Sequence, residues 1–108
     1  MDVLPLRIVK DLLDGFDKAF EHRARLAIMS LLMVNDRVEF TLLKEELALT
    51  DGNLASHLAH LEKEGYLRVH KSFVGRKPLT QYSATASGTA AFNRHLKALE
   101  AFLKQKRK

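Results

Sequence analysis

Two short helical patterns three residues apart restrict the fold of this chain more than any other feature of it. The first is apolar at Leu42, Leu43, Leu47 and Ala48, with Thr41 placed as its hydroxyl cap, and runs for about eight residues. The second opens at Thr50, whose side chain can cap it, and Asp51 then suits the positive end of a helix. Leu54, Leu58 and Leu61 line one face of that second pattern until Gly65 supplies a left-handed stop. Ala48-Leu49-Thr50 is all that separates the two, which is the spacing of a helix-turn-helix over residues 41–64.

The flanking segments complete an order of elements. Leu6, Val9, Leu13 and Phe16 step by threes and fours, with Pro5 suited to a first turn and Gly15 an interruption, so residues 4–20 read as an amphipathic helix. Phe20, Leu26, Ala27, Ile28, Leu31, Leu32 and Val34 then form a helix apolar around much of its girth, which belongs at the centre of the core and ends at Asn35-Asp36. Val38-Glu39-Phe40 is long enough only for a β-bridge. Past Gly65, the run from Tyr66 to Val74 alternates and is rich in β-formers, and Thr80-Gln81-Tyr82-Ser83 is a shorter run of the same kind. Gly75-Arg76-Lys77-Pro78 joins them into a hairpin over 66–83 whose turn carries two cations. Thr85 caps a last helix over 86–105, in which Phe92, Leu96, Leu99 and Leu103 step 4, 3, 4, a seam for packing against another helix.

Helix, helix, turn, helix, basic-tipped hairpin, helix is the order of a winged helix, an α+β fold, here one domain over residues 1–108. In that fold the second helix of the helix-turn-helix, residues 51–64, enters the major groove of duplex DNA, and the hairpin reaches a flanking phosphate or the minor groove. With its leucines turned to the core, this helix leaves Gly52, Asn53, Ser56, His57 and His60 on the opposite face. Asn53 and Ser56 suit base edges, His57 and His60 can donate to phosphate or base, and Gly52 allows close approach of the backbone beside Thr50 and Asp51. Arg76 and Lys77 at the hairpin tip, with Lys71 and Thr80 on its strands, are expected on phosphate. Arg23 and Arg25 either reach the DNA backbone or pair with Glu21 or Asp17.

Charge agrees with a polyanionic partner. The net charge is +5, but residues 1–70 hold 9 basic and 12 acidic side chains while residues 71–108 hold 9 basic and 1 acidic. The last five residues, Lys104-Gln105-Lys106-Arg107-Lys108, belong to this basic third. At 108 residues and 12.3 kDa the domain is too small to bury every apolar face. The end helices are therefore expected to pack on their counterparts in a two-fold dimer through Leu6, Val9, Leu13, Phe92, Leu96, Leu99 and Leu103, presenting two helices to an inverted repeat. With no cysteine, disulfides, thiolate metal sites and cysteine nucleophiles are excluded. No run reaches the length of a membrane span, and Met1-Asp2-Val3-Leu4-Pro5 lacks the basic start of a signal peptide, so a cytoplasmic location is expected.

The chain resembles the small winged-helix transcriptional regulators related to the MarR and ArsR families. The resemblance covers most of it and is carried by Arg25-Leu26-Ala27-Ile28-Met29-Ser30-Leu31-Leu32, Phe40-Thr41-Leu42-Leu43-Lys44, the run from Leu49 to Leu58, Leu61-Glu62-Lys63-Glu64-Gly65-Tyr66 and the run from Lys71 to Pro78. It implies a dimeric, sequence-specific DNA-binding regulator whose recognition helix starts near Asp51. Leu79, Gln81 and Ala84 depart from the pattern, at positions that bear on fine specificity.

Other chemistries find less support. His57 and His60 share a helix face at i, i+3, but two ligands make no structural zinc site. His22 and His95 could meet carboxylates across a dimer, although ordinary hydrogen-bonded imidazoles are the stronger expectation, as for His70. No Gly-rich phosphate loop, His-Glu-x-x-His or nucleophile elbow is present, so no enzyme, cofactor or metal is expected. Repression is the expected direction of regulation, because so small a chain has little surface left for recruiting polymerase. A winged helix docking an acidic protein partner through its basic hairpin is the alternative, with RNA binding third.

Overall fold

A computed structural model describes residues 6–106, with side chains from Val9 to Lys104. Helix α1 (Leu6–Asp14) is followed by a 3-10 turn (Lys18–Phe20), α2 (Arg23–Val34), β1 (Val38–Glu39), α3 (Phe40–Leu47), α4 (Asp51–Lys63), β2 (Leu67–Val74), β3 (Lys77–Ala84) and α5 (Ala86–Lys106). The fold is the expected α+β winged helix. Three antiparallel strands run in the order β1-β3-β2. Ile28 and Met29 of α2 are fully buried among Leu43 of α3, Leu54 and Leu61 of α4 and Phe20, with Leu58, Leu67, Val38, Tyr82 and Phe92 closing the core around them.

Local chemistry sets the helix boundaries. Thr50 Oγ1 accepts the Asn53 N–H at 3.1 Å and starts α4, and Gly65 at φ +79° carries the chain out of it, a conformation that glycine adopts without strain. The turn between α3 and α4 contains no glycine; Ala48 takes the left-handed conformation instead, φ 51°, while Leu49 beyond it packs onto the core. That conformation costs an alanine about 1 kcal/mol, which the burial on either side offsets.

Several boundaries differ from expectation. Thr41 is not the cap of α3: that helix starts at Phe40, with Glu39 in the cap position and no side-chain cap bond. The reason is tertiary, since Val38 and Glu39 form a true short strand paired with Tyr82 and Gln81, and the helix begins where the pairing stops. The wing turn is tighter than Gly75-Arg76-Lys77-Pro78. Only Gly75 and Arg76 lie between the strands, and Lys77 and Pro78 pair with Val74 and Phe73. Pro78 is tolerated there because β1 does not extend that far along β3. Tyr66 precedes β2 rather than opening it.

The end helices pack on each other within one chain, which uses part of the surface expected to face a second copy. Phe92 is 4% exposed, in edge contact with Phe20, and so belongs to the core rather than to a dimer face. Phe16 meets His95 and Phe102 of α5, and a methyl added at Gly15 would lie 3.0 Å from Ala98. The intramolecular seam of α5 thus runs through Phe92, His95, Ala98 and Phe102. Its polar member hid it from an apolar count: His95 is buried because its Nδ1 accepts the Asp17 N–H at 3.0 Å. Val9 is half-buried in this pairing, and the Leu6 side chain lies outside the described residues.

The turn leaving α4 is fixed both to the segment after α1 and to the start of α5. The Tyr66 hydroxyl donates to the Asp17 carboxylate at 2.6 Å and its ring stacks on Phe20. Its carbonyl accepts the Thr85 N–H at 3.1 Å, while Thr85 Oγ1 donates to the Gly65 carbonyl and accepts the Gly88 N–H. Gly88 is obligatory, because a Cβ there would sit 2.0 Å from the Tyr66 carbonyl oxygen. The hydrogen bond to Asp17, with burial second, pushes the Tyr66 phenol up to about 12, from an ordinary value near 10. Because the protonated phenol is the form favoured on folding, its contribution is complete below pH ~10 and is lost as the pH rises through ~12. Tyr66→Phe should lower stability by about 1 kcal/mol at pH 7 in urea unfolding, and the gap between variant and parent should close above pH ~11.

Candidate nucleic-acid interface

The polar face of α4 is presented by the burial of its opposite face. With Leu54, Leu58 and Leu61 inside, Thr50, Asp51, Gly52, Asn53, Ser56 and His60 are exposed, as are Ala55 and Ala59 between them. These short side chains leave the helix slender, as entry into a major groove requires. Asp51 would repel phosphate, but Lys44 of α3 pairs with it at 2.8 Å, so the leading end of α4 carries no unopposed carboxylate. Sequence reading missed Lys44; seven positions separate it from Asp51, and only the sharp turn brings them together.

Among the described residues Gly52 has no structural use. It needs no left-handed backbone, and a Cβ added there would meet nothing within 4 Å. A glycine in a helix costs roughly 0.5–1 kcal/mol relative to alanine, so its presence at the exposed start of α4 suits a contact made from outside.

His57 is placed differently from its neighbours. It is half-buried, its Nδ1 3.2 Å from an Arg25 guanidinium nitrogen and its ring 4.3 Å from that of His22. Arg25 is in turn held by its Nε donating to the Ala19 carbonyl at 2.7 Å. Arg25 therefore pairs with neither Glu21 nor Asp17, since its fork is satisfied by a carbonyl and an imidazole, while Arg23 stays exposed. His22 caps α2, its Nδ1 accepting the Ala24 N–H. Burial, then the charges of His22, Arg25 and His60, hold His57 below the ordinary imidazole range.

In the wing, Gly75 at φ +64° makes the turn and leaves Arg76 exposed at its tip, with Lys77 exposed at the first position of β3. Lys71 and Thr80 face each other across the strands and line a groove whose far wall is Glu39 and Thr41 at the start of α3. Phe73 and Val74, 71% and 67% exposed, add an apolar side to the tip that alternation alone had hidden. His70 on β2 reaches Ser83 on β3 at 2.7 Å. Among the described residues no three His, Asp or Glu side chains gather as a metal site, and no helix is long and apolar enough to cross a membrane.

A buried three-leucine face, a capped polar helix and a basic two-stranded wing together define a winged helix-turn-helix of the DNA-binding class. The chain belongs to the family described as winged helix DNA-binding domain, which it matches over residues 24–103. The chain is similar to an uncharacterized protein of Methanocaldococcus jannaschii, 38% identical over 79 residues that span 73% of this chain and 86% of that one. Among solved structures, a transcriptional regulator homologue from Pyrococcus horikoshii superposes with a TM-score of 0.83 at 27% identity, covering 95% of this chain and all of that one. A MarR-family regulator from Enterococcus faecalis shares the fold at a TM-score of 0.68 and 21% identity, covering 98% and 94%.

Gly52→Ala separates the two roles of that position. The variant should be more stable than the parent by about 0.4–1 kcal/mol in denaturant unfolding, yet bind duplex DNA more weakly. Unchanged binding would remove Gly52 from the interface.

Proposed function

We propose that this protein is a transcriptional repressor that binds an inverted-repeat duplex as a homodimer. The observation that carries this reading is the exposed α4 face of Gly52, Asn53, Ser56 and His60, which none of the described residues covers, on a fold shared with a transcriptional regulator homologue. Asn53 and Ser56 contact base edges, and Arg76, Lys77, Lys71 and Thr80 contact phosphate, the basic balance of residues 71–108 supplying the attraction. The working place of such a protein is the cytoplasm, beside the DNA.

The dimer rests on a stripe that the core leaves over. Leu96, Leu99 and Leu103 step along α5 at 42%, 38% and 51% exposed, and Leu13 of α1 lies exposed at 49%. Four large apolar side chains in water favour burial by a second copy. Two-fold pairing of α5 then sets two α4 helices to half-sites about 34 Å apart. An α4 face and wing seated on the duplex would block other proteins from the same site, which favours repression by occupancy.

Selection of bound duplexes from a random library, with the mass in solution taken from the same preparation, tests the whole reading. An enriched inverted repeat and a mass twice 12.3 kDa are expected. Salt-sensitive binding without enrichment would leave a non-specific nucleic-acid binder, and no binding would point to a protein partner. Asn53→Ala should reduce discrimination among related duplexes, whereas Arg76→Ala with Lys77→Ala should weaken all duplexes and flatten the salt dependence. Leu99→Lys should shift the protein to the monomer mass while leaving the folded domain intact.

A further inference from the structure

One side chain on the α4 face is held from behind, and this inference rests on the DNA-binding reading above. A guanidinium has donors only, so the Arg25 nitrogen 3.2 Å from His57 Nδ1 requires that ring nitrogen to be the unprotonated acceptor. The neutral imidazole then carries its proton on Nε2. Among the described residues no buried side-chain nitrogen or oxygen lacks a partner, and Nε2 of the half-buried His57 has none, so that N–H is open to solvent. Arg25 cannot turn away freely, because Nε is bound to the Ala19 carbonyl at the 3-10 turn. The ring of His22, fixed by its own bond to the Ala24 N–H, lies against the imidazole 4.3 Å away and limits its rotation.

We propose that Arg25 is a positioning residue for base recognition, locking the His57 imidazole in one orientation and one tautomer so that α4 offers a single neutral donor to an acceptor on a base edge. Purine N7, guanine O6 and thymine O4 are such acceptors in the major groove; cytosine presents only its N4 donor there and is rejected. Neutrality matters to selectivity, since a cationic imidazole would be drawn to any phosphate. The groups around the ring, Arg25 and His22 on the α2 side and His60 on α4, all oppose its protonation, as does its burial. A protonated ring would turn an N–H toward the guanidinium and lose the bond that aims it.

The test compares the parent with Arg25→Met, His57→Leu, the double variant and His57→Gln. The probes are the duplex enriched from the random library and the unselected pool, and nitrogen-15 spectra report the ring of each histidine-containing variant. In the parent, Nδ1 should be unprotonated and Nε2 protonated; in Arg25→Met the ring should titrate at higher pH. Arg25→Met and His57→Leu should each lose about tenfold in preference for the enriched duplex over the pool, and the double variant no more than either alone. His57→Gln, whose amide keeps both an acceptor for Arg25 and an outward donor, should retain most of the preference. Should Arg25→Met not fold, Arg25→Lys, which lacks the planar fork, takes its place, and the two His57 variants on the surface of α4 decide the matter independently. A protonated Nδ1 in the parent, additive losses, or equal losses on both probes would overturn the proposal. A library that yields no enriched sequence would fail the DNA-recognition reading itself and this inference with it, which the parent alone reveals.

Discussion

The wing and α4 are held in a common frame by the backbone contact between Tyr66 and α5. Gly88 lies so close to the Tyr66 carbonyl that no side chain fits between them, and Thr85 closes the same turn with three hydrogen bonds. The C-terminus of α4, the start of β2 and the start of α5 are thus one rigid joint. From the other side Asp17 accepts the Tyr66 hydroxyl and the Ala19 N–H and gives its own N–H to His95, so the segment after α1 is fastened to the same point. A DNA reader needs its helix and wing at a constant angle, and a close-packed joint supplies this better than any surface ion pair.

Electrostatics at the interface depend on that frame. The one carboxylate at the leading end of α4 is opposed by Lys44, and both partners are solvated enough that the pair contributes orientation more than stability. The His57 ring sits between Arg25 and His22, where burial and neighbouring charge favour the neutral form. The wing carries positive charge at Lys71, Arg76 and Lys77, all three exposed.

Helix α5 divides its surface between two seams. One, through Phe92, His95, Ala98 and Phe102, is consumed within the chain; the other, through Leu96, Leu99 and Leu103, is left in water. The apolar count along the helix merged the two, placing Phe92 with the exposed leucines. Helical spacing says that a face is apolar but not which of two adjacent faces the rest of the chain reaches, and a buried histidine with a backbone partner escapes such a count altogether.

Much of this protein was written in local pattern. The capped α4 with its three leucines, the glycine stop, the alternating strands and the basic wing are decided by side-chain periodicity, caps and turn chemistry, which act over a few residues and can be read directly. The exposed face of Gly52, Asn53, Ser56 and His60 followed from the same periodicity. What the sequence could not show were contacts between residues of different elements: β1 pairing with Tyr82, Asp51 paired with Lys44, Arg25 spanning from the Ala19 carbonyl to His57, and Tyr66 joining Asp17 to the start of α5. Each depends on where the core sets two elements side by side. Periodicity determines which faces are buried, but only packing in three dimensions decides which polar groups then meet.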